Sequence, residues 1–259
     1  MGRRTGALGL VGLASVGAAA TVHPALAQDA AAPVGTDAFT AEQRAAIVQI
    51  LRDAMTRDPT ILRDAIVAMR AADEAETARR RQALVRENAD ALFRDPADPV
   101  KGNPQGDVTL VEFFDARCGY CKVLHPTMEQ LIRADPNLRV VMKDLPILGP
   151  NSVLASRALL AAQRQGKYAP FYDALMALRG DTTEAAIQAE AVRAGLDWPR
   201  LRREMADPTI EARISTNLRL AQTLGIEGTP AFVIGDALVP GASDLGTLQG
   251  LVAQARRAG

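Results

Sequence analysis

Residues 113–126 read FFDARCGYCKVLHP and hold the only two cysteines of the 259-residue chain, Cys118 and Cys121. Upstream, VTLVEFFD (108–115) is a compact apolar run rich in β-branched and aromatic residues, the pattern of a buried strand. Downstream, Gly119 to Ala134 offers Val123, Leu124, Met128, Leu131 and Ile132 for packing at helical spacing. The pair therefore lies where a strand hands over to a helix. Cys118 falls at the helix start, where unpaired N–H groups and the helix dipole favour a thiolate. Cys121, one turn in, lacks that advantage and is placed to resolve a mixed disulfide.

Three chemistries compete for such a spacing. Zinc needs four Cys/His ligands as a rule, and beyond the leader segment only His125 remains to join the cysteines. A structural disulfide closing so short a loop constrains the unfolded chain little, because the entropic gain grows with loop length. A reactive pair exchanging disulfides with other chains fits best. His125 reads as a packing or surface residue and Lys122 as a solvated neighbour.

Outward from the pair, RVVMKDLP (139–146) is a second strand and completes a βαβ unit with a right-handed crossover. Gly149 to Gly225 is a long helical block with Gly, Pro and Asp breaks, in which Tyr168, Phe171 and Tyr172 can anchor packing. PAFVIG (230–235) is a strand, ALVPG follows a short turn, and Asp244 to Ala255 closes with a helix. The order βαβ, helical insertion, ββα is an α/β class.

The N-terminal third differs in texture. Residues 1–27 carry Arg3 and Arg4, an apolar Gly6–Ala20 and an Ala25-Leu26-Ala27 site, the pattern of a cleavable export signal. The apolar core is too short and too rich in small residues for a membrane anchor. Residues 28–38 read as a disordered linker. Residues 39–94 form a helical arm that opens on a Thr40/Gln43 capping box. Its stripe of Ile47, Ile50, Leu51, Met55, Ile61, Leu62, Ile66 and Met69 is thin, and gives way to the charged ADEAETARRRQ before Val85, Ala89 and Leu92. Such a stripe packs either on the main domain or on copies of itself. DPADPVKGNPQGD (95–107) punctuates the chain and marks the expected start of the main domain, 95–259. Without Arg3 and Arg4 there are 28 basic against 30 acidic residues, so no basic excess argues for nucleic acid and no polybasic tail for a membrane surface. Export places the cysteines in an oxidising compartment.

FFDARCGYCK followed by Pro126 resembles the active-site segment of thioredoxin-fold disulfide oxidoreductases. The helical block between βαβ and ββα resembles their bacterial periplasmic DsbA-like branch. The N-terminal arm extends the likeness, by arrangement, to the ScsC-like proteins. The resemblance implies a thioredoxin fold with a helical insertion at about 149–225, and no cofactor or metal. Cys118 matches the exposed nucleophile and Cys121 the buried resolving cysteine, the two forming the redox-active disulfide. Gly119 and Tyr120 match the dipeptide that tunes the potential, closer to the disulfide isomerase DsbC than to DsbA. Pro126 matches the proline that kinks the active-site helix, and Glu112 a buried carboxylate assisting proton transfer from the inner cysteine. Thr229 and Pro230 match the substrate-facing loop whose proline is cis. Implied partners are cysteine-containing exported proteins, a membrane redox protein of the DsbD or DsbB type, and further copies of the chain, gathered by the arm into a trimer. A dithiol oxidase, and an exported chaperone or scaffold with an inert disulfide, stand as the alternatives to an isomerase.

Overall fold

The computed structural model describes residues 38–258. The expected export signal, and all of the linker but Ala38, lie outside them. The chain divides between Ala65 and Ile66 into two compact units.

The first unit holds α1 (Ala41–Arg57) and the opening of α2 (Thr60–Glu87). The capping box forms as expected: Gln43 N donates to Thr40 Oγ1 (3.3 Å) and Thr40 N to Gln43 Oε1 (2.8 Å). The α2 backbone starts on Asp58, whose carboxylate accepts from Thr60 N at 3.0 Å. No residue of α1 is buried, so Ile47, Ile50, Leu51 and Met55 stay exposed. On α2, Ile61 and Leu62 are exposed too, as are Ile66, Val67 and Met69 in the adjoining second unit.

In the second unit α2 runs on through the charged stretch and a π-helical turn follows at Asp90–Arg94. Then come β1 (Val100–Gly102), β2 (Val108–Phe114), α3 (Gly119–Ala134) and β3 (Leu138–Asp144). The insertion is α4 (Pro150–Gln163), α5 (Tyr168–Ala177), α6 (Glu184–Arg193), α7 (Trp198–Glu204) and α8 (Pro208–Thr223). β4 (Ala231–Ile234), β5 (Ala237–Pro240) and α9 (Leu245–Ala258) close the chain. The sheet order is β1-β3-β2-β4-β5, with β2 and β3 parallel and every other pair antiparallel. This is the thioredoxin fold expected, with its insertion in the expected place.

Strand alternation sorts the core into two faces. Leu110, Phe114, Val140, Met142, Phe232 and Ile234 pack with α3, α4, α5 and α9. Val111, Phe113, Val141, Ala231 and Val233 pack on the other side with Leu220, Leu224, Val85 and Leu92. Val85 and Leu92, which precede Asp95, are fully buried on this face. The segment from Leu84 to Arg94 covers a face of the sheet. Its backbone also receives side chains from β3, Arg139 Nη1 to Phe93 O (2.7 Å) and Lys143 Nζ to Ala91 O (2.7 Å).

The expected punctuation at 95–107 also holds an unforeseen strand. Val100–Gly102 pairs antiparallel with β3, three residues long and at the sheet edge. Gly102 ends it at φ 70°, where a Cβ would lie 2.5 Å from Leu138 O, so only glycine lets the two backbones approach. Just before this strand, Asp98 bonds the buried Lys143 (2.5 Å) and Arg213 of α8. Burial pushes the Asp98 carboxyl up and the Lys143 amine down, and their attraction offsets that cost. Asp98→Ala would strand Lys143 in the core. The variant is expected to lose about 3 kcal/mol or more in urea unfolding.

Candidate functional site

The parallel pair β2–β3 delivers its C-terminal ends to one edge, and the site is built there. Asp115, fully buried just past β2, makes the handover rigid. Its carboxylate accepts from Arg117 N (2.8 Å), Ile147 N (2.9 Å) and Leu148 N (3.1 Å), tying the β2–α3 loop to the β3–α4 loop. Its carbonyl accepts from Cys118 N at 2.9 Å. Arg117 adds a second tether, donating to Asp181 (2.6 Å) and to Leu148 O. Sequence reasoning gave Asp115 and Arg117 no role, because their partners lie far along the chain.

Cys118 is the N-cap residue of α3 and makes no capping bond. Its thiol instead donates to Thr229 O at 3.1 Å, across the Thr229–Pro230 peptide, which is cis. That loop leaves Cys118 only 6% exposed, less open than the resemblance implied. Gly119 and Tyr120 turn outward, Tyr120 being 72% exposed and Gly119 having open space where a Cβ would stand. Pro126 lies within α3, where it has no N–H to donate to the helix. Both cysteines are free thiols. Cys121 is buried within α3, and burial, with the nearby Glu112 charge and Cys118, pushes its thiol well up. A hydrogen bond from the Asp115 backbone opposes the shift.

Glu112 sits mid-strand on the same sheet face as Phe114 and is 2% exposed. Burial raises its carboxyl to about 7, against the Lys101 charge and a hydrogen bond from Tyr172 Oη (3.4 Å), which both lower it. Tyr172, expected only to anchor packing, thus also faces the carboxyl, and its ring meets Phe114 edge-on at 4.9 Å. Lys101 reaches in from β1 with its Nζ 4.6 Å from the Tyr172 ring centre. It donates to Glu129 (2.6 Å) and to Asp173. His125 Nε2 lies 3.4 Å from Asp173, and burial lowers its ring. His125, Glu129 and Asp173 bring ligand atoms within 4.8 Å of one another, a set that could take a cation. The Lys101 ammonium already bonds both carboxylates, so their charge is met within the protein. Lys122 donates to Leu178 O (2.8 Å) and is less free than a solvated neighbour.

The raised Glu112 carboxyl has a stability consequence. The folded state holds this proton more tightly than the unfolded chain, so stability falls as pH rises from about 4.5 to about 7 and then levels off. Glu112→Gln removes that loss. It is expected to gain roughly 3 kcal/mol on the natural chain between about pH 4 and about pH 8 in urea unfolding.

Comparison with known proteins accords with this geometry. Residues 109–253 match the family described as DSBA-like thioredoxin domain. A thioredoxin-like oxidoreductase from Silicibacter pomeroyi is 48% identical, with a TM-score of 0.64 over 66% of this chain and 98% of that one. Proteus mirabilis ScsC in a transitional conformation is 30% identical, with a TM-score of 0.64 over 86% of this chain and 99% of that one. The Na(+)/H(+) antiporter NhaA 1 of Salinispora arenicola is 31% identical over 160 residues, 61% of this chain and 24% of that protein. The chain thus spans about a quarter of the length of the curated relatives it first matches. No helix among the described residues is long and apolar enough to cross a membrane. With the strand-to-helix cysteine pair facing the Thr229–Pro230 loop, and the match over residues 109–253, this chain belongs to the DSBA-like thioredoxin domain family.

Proposed function

We propose that the protein is a periplasmic thiol–disulfide oxidoreductase, acting mainly as an isomerase or reductase on exported proteins. The observation that carries this is the meeting of Cys118 Sγ with Thr229 O at the N-terminus of α3, with Cys121 buried one turn behind it. A sulfur so held attacks a substrate disulfide: the Cys118–substrate S–S bond forms, and the other substrate sulfur leaves as a thiolate that takes up a proton. Cys121 then attacks Cys118. Its proton passes to the Glu112 carboxylate, the Cys118–Cys121 bond forms, and the second substrate sulfur leaves with the electron pair of the broken bond. If a substrate thiol attacks first, the pairing is reshuffled and the protein is released reduced. An extended substrate can pair with the Thr229 backbone, and Tyr120, Val123, Ile147 and Leu148 offer exposed apolar contacts on the site's own segments.

Gly119 and Tyr120 support the isomerase direction by their likeness to DsbC, and the arm supports an assembly that shields a reduced site from oxidising partners. An export signal at 1–27 would deliver the chain to the compartment where such substrates fold. Membrane partners of the DsbD or DsbB type would set its redox state.

Cys121→Ala is expected to accumulate a mixed disulfide at Cys118 with reducible client proteins, read by mass spectrometry; a chain that traps none is a scaffold. Refolding of a scrambled multi-disulfide protein should recover native pairings. Oxidation of a reduced substrate without reshuffling would instead assign the protein as an oxidase. For the arm, sedimentation of the chain from residue 28 should show an oligomer, a trimer by the ScsC likeness. Ile50→Glu with Leu51→Glu should convert it to a monomer.

A further inference from the structure

Asp144, at the end of β3, has no part in the exchange described above, yet it is fully buried beside the site. Phe114 and Asp144 are partners across the parallel ladder, and Glu112 lies two residues before Phe114 on the same face. Strand spacing and rise then put the Glu112 and Asp144 backbones roughly 8 Å apart with their side chains on one side of the sheet. Two tyrosines of α5 link them. Tyr172 Oη donates to Glu112 Oε1 at 3.4 Å and Tyr168 Oη to Asp144 Oδ2 at 3.3 Å. The rings stack with centroids 6.2 Å apart and planes within 12°. The other Asp144 oxygen meets no aligned donor; the Ser156 hydroxyl lies beside it and is itself left without a partner. Native structures seldom leave buried polar atoms unpaired, so such a group calls for an explanation.

We propose that Asp144 is a positioning residue of the thiol-exchange site, a second buried carboxyl that acts on Glu112 through the Tyr168–Tyr172 pair. The inference rests on the oxidoreductase reading. Glu112 must be ionised to take the Cys121 proton, and a negative charge on Asp144 opposes that ionisation. When Asp144 holds a proton, that opposing charge is gone from behind the stacked tyrosines, and the resolving step proceeds at lower pH. Burial raises both carboxyls to about 7, so the two exchange protons in the same range. Around Glu112 the charged and titratable groups are Lys101 of β1, Tyr172 of α5, and Glu129 and Cys121 of α3. Around Asp144 they are Tyr168 of α5, Asp115 after β2, and Asp98 before β1; α4 contributes Ser156. From α8, Asn217 Nδ2 donates to the Asp144 carbonyl (3.2 Å). None of these is a cation bonded to Asp144, so its charge is left to the Tyr168 and Ser156 hydroxyls.

The test follows release of a fluorescent peptide thiol when the reduced full chain meets a peptide disulfide, between about pH 5.5 and about pH 9. Cys121→Ala isolates the first attack, and the difference gives the Cys121-dependent step. Asp144→Asn should lower the midpoint of that step by about half a pH unit or more, raising the rate near pH 6 roughly threefold and leaving it unchanged above about pH 8. Tyr168→Phe should shift the midpoint in the same direction, the double variant should add nothing, and Asp144→Glu should restore the natural profile. Profiles that superimpose on the natural chain's, or rates scaled by one factor at every pH, overturn the inference. A natural chain that releases no thiol in a Cys121-dependent step overturns the oxidoreductase reading itself, and the inference with it.

Discussion

A carboxyl in the middle of a central strand, with other strands on both sides and helices above, is expensive to ionise. Glu112 of β2 is such a group, and the surrounding structure answers it from three directions. β1 brings Lys101 to one side, α5 brings the Tyr172 hydroxyl to another, and α3 covers the site with Cys121. The short edge strand and the helical insertion therefore serve the same point. Neither compensating group neutralises the carboxyl outright. It stays poised near neutrality, which is the condition a proton acceptor for a thiol needs.

The opposite face of the same sheet solves the same problem differently. There Lys143 is buried against Asp98, and Arg213 of α8 bonds both Asp98 and Asp95. Charge is matched to charge, and the result anchors the segment before β1 to the sheet. The face that carries the cysteine pair instead has its two carboxyls, Glu112 and Asp144, facing tyrosine hydroxyls. A neutral donor stabilises a carboxylate less than an ammonium bonded to it does, and burial raises both of these carboxyls.

How far each element was legible in the sequence follows from the range of the interactions that make it. α3 spans Gly119–Ala134 as its pattern predicted, because helical periodicity and the apolar strand before it are local signals. The Thr40/Gln43 capping box is local as well. β1 was not legible: Val100, Lys101 and Gly102 lie in a Pro/Gly-rich stretch, and only β3, about forty residues on, makes them a strand. The burial of Val85 and Leu92 was hidden for a related reason. Val85 and Leu92 look like the tail of a thin helical stripe until the sheet supplies the surface that buries them.

By itself the sequence determined that two thiols sit one helical turn apart at a strand-to-helix junction, with a carboxyl six residues upstream and an apolar arm before the domain. Those are properties of spacing, and spacing is local. Tertiary structure alone decided what the thiols face. The Cys118–Thr229 contact spans 111 residues and the Tyr172–Glu112 contact 60, and neither leaves a periodic trace in the chain. Such contacts form only when hydrophobic packing of the sheet faces carries their elements together. The cysteine pair could thus be found in the sequence, while its neighbours and the proton balance around it belong to the fold.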